Sequence, residues 1–483
     1  MLTIAVFGVI SLAASLFLIR YNFNLVLNSY LILFTLAMFF NEMLYLYLHP
    51  HPLDEDVVFL VCVIFTIYVV VMRFGTDLIA SVTHDTVDPT IAFCERVPDR
   101  VLFGACCLYL ITRLYLVHRV GAFLAFNAGR AASSDAMARL AGGMGMFDQA
   151  VGMLTDPPAL GAMVIATVKA GIRPSRVFKM MLIIGPIVPL YLISDVSGGA
   201  RRVMLALVLL GVLSYYYARD FRLSMKHIFP LLMIAWLLYL AGGYYQLIRG
   251  NFADLYVEQH GHLSALSISQ LIKTALEPQP TRWSPSTISG ALEKNASERS
   301  QYFDLVADIA THELRHPSGA LGGKIFLGEI EEAIPRAFFP SKKEMNLKQP
   351  ISIAFNEPNT DLAVSPFADA IADFGIFGVC LVPLVFLGTY FIYRWLLVRV
   401  RPATYLLGPT VIAVLFNLIL SFEAGLAVFV NLRSVILVWL VTLPAWVIKE
   451  LLYPPWGAKV PRPSLAYESR PNGPPRLGET TEA

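Results

Sequence analysis

The chain has 483 residues, 56% of them hydrophobic and only 15% charged, with a formal net charge of +2; its mean hydropathy is +0.62. Soluble globular proteins carry about 45–50% apolar and about 25% charged residues. Here the apolar excess falls in long blocks, which excludes a water-soluble enzyme, and the near-balanced charge gives no footing for nucleic-acid binding. Of the five cysteines (Cys62, Cys94, Cys106, Cys107 and Cys380), four lie inside apolar blocks, a placement that indicates neither a disulfide frame nor a thiolate metal site. An integral membrane protein is expected.

A bilayer core about 30 Å thick needs about 20 mostly apolar helical residues. Taken in chain order, such runs fall at roughly 2–19, 25–48, 57–72, 101–118, 149–170, 179–196, 203–217, 228–247, 371–393, 404–421 and 433–452. The expected architecture is therefore an all-α polytopic membrane protein with about 11 transmembrane helices (10–12). The least defined stretches are 119–148 and the short run 203–217. The first run has no basic n-region and no small-residue cleavage site, so it is expected to be a retained helix.

Basic residues near short loops set orientation. Arg20, Arg73, Arg96, Arg100, Arg173, Arg176, Arg219, Arg222, Lys226, Arg394, Arg399 and Arg401 follow the odd-numbered runs, whereas 49–56 has no Lys or Arg. This predicts a periplasmic amino terminus and a cytoplasmic carboxyl terminus. The Pro-, Gly- and charge-rich tail 453–483 reads as a disordered cytoplasmic extension. Residues 1–247 then hold transmembrane helices 1–8, 248–370 a large periplasmic loop domain, and 371–452 helices 9–11. Loops as long as 248–370 seldom lack structure of their own. Within it, 263–276 and 299–314 are amphipathic, with Tyr302, Leu305, Val306 and Ile309 on one face, and 323–339 is apolar enough to lie on a membrane surface.

Ionisable groups at membrane depth are costly and mark functional sites by default. They gather at the expected outer ends: Glu42, Arg113, Asp195, Arg201, Arg202, Arg249, Asp369, Asp373, Glu423 and Arg433. Arg119, Arg130, Arg139, Arg201 and Arg202 run against the orientation bias. Taken singly, these arginines can snorkel or pair with Asp195, Glu42 and Glu423. Taken together, they point to an outward basic cleft for an anion, because the planar guanidinium holds phosphate oxygens bidentately. There is no GxxxxGK[ST] and no GxGxxG between a strand and a helix, so nucleotide binding is not expected.

Residues 312–316 read His-Glu-Leu-Arg-His, the spelling of a zinc hydrolase site, with Glu313 as base and Glu329, Glu331 or Glu332 as a further ligand. Pro317 should end the helix at that point, and Arg315 sits where such helices present an apolar residue. The expectation is an exposed helix end whose His and Arg favour the C-terminal dipole, and no metal.

The run IPRAFFPSKK at 334–343, followed by NEPNTDLAVSPFADAIADFGIFGVCLVPLVFLG at 356–388 and preceded by SGGARRVML at 197–205, resembles the bacterial Wzy-type O-antigen and exopolysaccharide repeat-unit polymerases. The resemblance covers about 195–390, and the stretch 356–378 lacks the histidine that related O-antigen ligases carry. It implies a GT-C-like fold in the bacterial inner membrane and metal-independent glycosyl transfer without a cofactor. Donor and acceptor would both be undecaprenyl-diphosphate-linked oligosaccharides. Membrane lipids, a flippase and a chain-length regulator are the other candidate partners, with no nucleic acid.

The chemistry needs cations to neutralise the departing diphosphate and a base for the acceptor hydroxyl. The implied set is Arg249 for the donor diphosphate, with Arg201, Arg202 and Arg336. Lys342 and Lys343 would bind the second headgroup, and Arg299 and Arg315 the glycan or phosphate. Asp369 and Asp373, one helical turn apart, are the candidate bases, with helix-dipole stabilisation as their structural alternative. Gly375 and Gly378 are expected to permit close packing. Two alternatives stay open: an O-antigen ligase or other lipid-linked glycosyltransferase, and a polysaccharide transporter or flippase. The transporter predicts internal repeats and broken helices near the midplane.

Overall fold

The computed structural model describes residues 2–17, 23–48, 54–83, 88–120, 146–188, 200–219, 302–316, 320–333, 365–400 and 407–421. Every regular element among them is helical. In chain order these are α1 (Leu2–Phe17), α2 (Leu25–Thr35), a π turn (Leu36–Phe40), α3 (Asn41–Leu48), α4 (Glu55–Thr83), α5 (Pro89–Arg96), α6 (Asp99–Val120) and α7 (Met146–Ile172). Next come a 3-10 turn (Pro174–Arg176), α8 (Val177–Ile184), α9 (Ala200–Tyr217), α10 (Tyr302–Arg315), α11 (Lys324–Ala333) and α12 (Pro366–Phe374). A second 3-10 turn (Ile376–Cys380) leads into α13 (Leu381–Arg399) and then α14 (Leu407–Leu420). By chain contacts the protein divides into Met1–Trp439 and Leu440–Ala483. All the described elements belong to the first unit.

Two stretches, Glu55–Gly75 and Ile376–Val398, are long and apolar enough to cross a membrane, and shorter apolar helices occur at Leu2–Leu16, Leu25–Phe40, Val203–Tyr217 and Leu407–Leu420. Large apolar side chains stay exposed on the outside: Phe59, Phe74, Phe103, Ile111, Leu114, Leu384 and Val398, with Phe377 88% exposed. Exposed apolar surface on that scale marks contact with lipid or another protein. The expected runs 228–247 and 433–452, the amphipathic segment 263–276 and the tail lie outside the described residues.

α7 is central, packed by α6, α9 and α14. Glycines set two of these contacts. A Cβ on Gly161 would lie 1.7 Å from the Pro409 carbonyl oxygen, and one on Gly171 would lie 2.5 Å from the Gly211 carbonyl oxygen. Small residues thus let helix backbones touch. On the other side of the bundle α1 packs on α4, where the hydroxyls of Ser11 and Thr66 are 3.1 Å apart. An aromatic cluster of Tyr30, Phe34, Phe65, Tyr68 and Phe386 fills the space between α2, α4 and α13.

Two expected runs are not single helices. The run 25–48 contains the π turn, a feature frequent at functional sites. The run 371–393 is broken: α12 ends at Gly375, whose φ of +71° is left-handed, and the apolar helix begins only at Ile376. Gly375 is therefore there for its backbone conformation, which packing considerations alone did not anticipate. Gly378 does serve close packing, since a Cβ there would lie 2.1 Å from the Ala370 carbonyl oxygen.

Candidate functional site

α12 is short and interior over most of its length: Pro366 through Asp373 are all buried, and only the last residue, Phe374, is exposed. Its start follows a simple chemical rule, with Ser365 as N-cap accepting from the Ala368 amide at 3.2 Å and Pro366 in the first turn. Phe367 packs edge-on against Phe34, Phe65 and Tyr68 at centroid distances of 5.4, 5.5 and 4.9 Å. Phe34 lies nine residues into α2 from Leu25, about 13 Å along the helix axis. The N-terminus of α12 thus sits deep in the bundle. The helix ends at Gly375, and the chain then folds back so that Gly378 comes against the Ala370 carbonyl.

The long polar segment supplies the cover. α10 packs on α12, α3, α4 and the π turn, burying Phe303, Leu305, Val306, Ile309 and Ala310. Of the amphipathic face expected over 299–314, Leu305, Val306 and Ile309 are buried, while 299–301 and the Tyr302 side chain lie outside the described residues; Pro317 follows a helix that ends at Arg315. α11, shorter than the apolar stretch expected at 323–339, packs on α12 and buries Ile325 while exposing Leu327.

Acidic side chains gather in this region. Asp373 is fully buried, and its two oxygens accept from the amides of Ile325 (3.0 Å) and Phe326 (2.8 Å). It caps the N-terminus of α11, a helix-dipole role in which each of its oxygens accepts a backbone amide. Asp369, one turn earlier, is 4% exposed. The two do not therefore present equivalent carboxylates to one cleft, which helical spacing alone had suggested. Glu42 is fully buried and faces Asp304, with Asp308 beside it. Among the described residues no arginine pairs with it.

Glu313, expected at an exposed helix end, is 4% exposed. Its Oε2 lies where a Cβ on Gly375 would be only 3.7 Å away, and among the described residues its Oε1 has no hydrogen-bond partner. Burial pushes its carboxyl above the ordinary value, against a smaller opposing pull from His312. The rings of His312 and His316 are 5.1 Å apart. Among the described residues, no three His, Cys, Asp or Glu groups converge as metal ligands.

A carboxyl whose folded pKa is raised binds its proton more tightly in the folded state. It stabilises fully below the ordinary value of 4.5 and loses that contribution as pH rises through the raised value. Amide exchange of 302–315, corrected for the intrinsic rate, is therefore expected to speed up as pH climbs above about 4.5. Glu313→Gln should flatten that dependence; an unchanged slope in the variant would assign it to another group.

Of the expected basic cleft, Arg315 is exposed at the end of α10. Arg201 and Arg202 open α9. Arg249, Arg299, Arg336, Lys342 and Lys343 lie outside the described residues. Arg113 does not contribute a free cation: its Nη2 meets Asp156 Oδ2 at 2.6 Å and its guanidinium lies 5.1 Å from the Tyr109 ring centroid. The half-buried acidic partner stands directly before Pro157-Pro158 inside α7, and its place within an apolar run was the available sign of a paired charge.

A scan of family models, a search of curated proteins and a search of solved structures each return no match to this chain.

Proposed function

We propose that this chain is a polytopic glycosyltransferase of the inner membrane, with about eleven spans in a GT-C-like arrangement. It joins undecaprenyl-diphosphate-linked repeat units into a surface polysaccharide at the outer face. The observation that supports this most directly is α12, a half-helix buried in the bundle and roofed by α10 and α11 from the long polar segment. That arrangement delivers a carboxylate to the interior under a cover that excludes water, which general-base activation of a sugar hydroxyl requires.

Asp369 is the base in this scheme, and Asp373, whose oxygens accept two amides, is the helix cap. Its task is to accept the acceptor hydroxyl's proton as the oxygen attacks the anomeric carbon and the diphosphate departs. Arg249, with Arg201, Arg202 and Arg336, neutralises that leaving group. Lys342, Lys343, Arg299 and Arg315 bind the second carrier or the glycan. No metal takes part.

Gel analysis of surface polysaccharide from a deletion strain tests the proposal. A single-repeat band is expected. Full-length polymer left unattached to its final acceptor would indicate a ligase instead.

A second scheme has one specific observation behind it. The break at Gly375 is the kind of interrupted helix that a transporter predicts. A deletion strain that accumulates its lipid-linked repeats on the cytoplasmic side would favour that scheme.

A further inference from the structure

The end of the bundle opposite α10 carries a second concentration of charge. There α5, the start of α6, the last turn of α7 and α8 meet the beginning of α2, whose Leu25 amide donates to the buried Asp88 at 2.8 Å. A small cleft is lined by Glu95, Lys169, Arg173 and Arg176. Lys169, only 4% exposed, donates to the Val97 carbonyl and to Asp99 Oδ1 at 2.8 Å, while Lys179 takes the other Asp99 oxygen. Burial opposes the Asp99 charge, but the two lysines overcome it and hold the carboxyl at about 2. Arg173 reaches Glu95 at 3.1 Å.

Those pairs use up the acids. Asp88 faces inward onto the amides of Leu25 and Ile91. Among the described residues, no carboxylate lies within ion-pair range of Arg176, or of the exposed Arg96 and Arg100. Directly after Arg176 comes an apolar face open to the outside, with Phe178 73% and Met181 and Leu182 each 63% exposed. Positive charge at one end of a helix bundle arises from orientation alone. A cleft whose acids are already neutralised, beside an uncommitted arginine and an uncovered apolar helix face, is a more specific arrangement. It matches a molecule with a phosphate joined to hydrocarbon.

We propose that Arg173, Arg176 and the apolar face of α8 form a binding site for an anionic glycerophospholipid, with the phosphate between the two guanidinium groups and an acyl chain along Phe178, Met181 and Leu182. Basic pockets between helices at a membrane surface hold lipid headgroups in this way. The site rests on the membrane-embedded part of the proposed function and is independent of glycosyl transfer.

The test uses the full-length chain extracted from membranes and reconstituted with phosphatidylethanolamine and phosphatidylglycerol, with bound lipid read by native mass spectrometry. Retained phosphatidylglycerol is expected. Arg173→Gln/Arg176→Gln should weaken retention about 30-fold, at an unchanged melting midpoint in zwitterionic lipid alone. Arg176→Gln by itself, which breaks no ion pair among the described residues, should weaken it about fivefold. Equal retention by wild type and both variants overturns the site. So does displacement of the lipid by millimolar inorganic phosphate, which would mark a soluble-anion pocket. A chain that does not partition into membranes refutes the embedding itself, an outcome distinct from a membrane-bound chain that carries no phosphatidylglycerol.

Discussion

Gly161→Ala is expected to remove most of the folded protein. The added methyl would lie 1.7 Å from the carbonyl oxygen of Pro409, 2.4 Å from its carbonyl carbon and 2.9 Å from its Cα. All three atoms are backbone, so no rotamer change relieves the overlap, and α7 and α14 must separate. Helix propensity favours the alanine by about 1 kcal/mol. Overpacking of a rigid contact costs about 1–3 kcal/mol, with larger values when backbone must move, so the steric effect wins. It falls at the interface of the central helix, where α6 and α9 share the same partner, and the loss should spread to both.

Gly211→Ala is the internal control. Among the described residues its methyl would meet only Thr167 Cγ2, at 3.2 Å, a side-chain contact and not a backbone overlap, and a change within about 1 kcal/mol is expected. Melting followed by gel filtration in detergent separates the two. If the Gly161 variant melts like wild type, α7 and α14 do not touch as described.

Much of this packing was legible from hydropathy, because a helix must be apolar wherever it meets lipid or another helix. The buried face of α10 was equally legible, since Leu305, Val306 and Ile309 recur at helical spacing. Interruptions were harder to see. Gly375 lies in an apolar run whose composition suits an unbroken span, and only its φ separates α12 from the 3-10 turn and α13 after it. Ser365-Pro366 carried the local sign that a new helix starts there.

Partner choice was the least legible. Arg113 and Asp156 are 43 residues apart, and Asp373 caps a helix 48 residues upstream at Ile325. Spacing along one helix places Asp369 and Asp373 together, yet the docking of α11 separates their roles. Such long-range choices are decided by which backbone amides a folded neighbour brings within reach, and local sequence does not record that.

The same separation of roles gives the most discriminating experiment on the proposed chemistry. Asp369→Asn preserves size and hydrogen-bonding shape but removes the basic carboxylate, so polymer is expected to vanish while immunoblots still show the protein. Asp373→Asn keeps one acceptor oxygen for the amides of Ile325 and Phe326 and loses the second. Leaving one buried donor unsatisfied costs about 1–3 kcal/mol, so this variant should be destabilised yet still make polymer. Asp373→Ala removes both acceptors and should lose protein level as well. Arg249→Ala is expected to abolish polymer like the Asp369 variant, with single-repeat surface glycan retained, because the diphosphate then leaves without its cation. The panel is read on surface-polysaccharide gels with immunoblots for protein level. Polymer loss in the Asp373→Asn variant at normal melting, with polymer intact in Asp369→Asn, would reverse the assignment of base and cap. Normal polymer from the Arg249 variant would remove that residue from the mechanism.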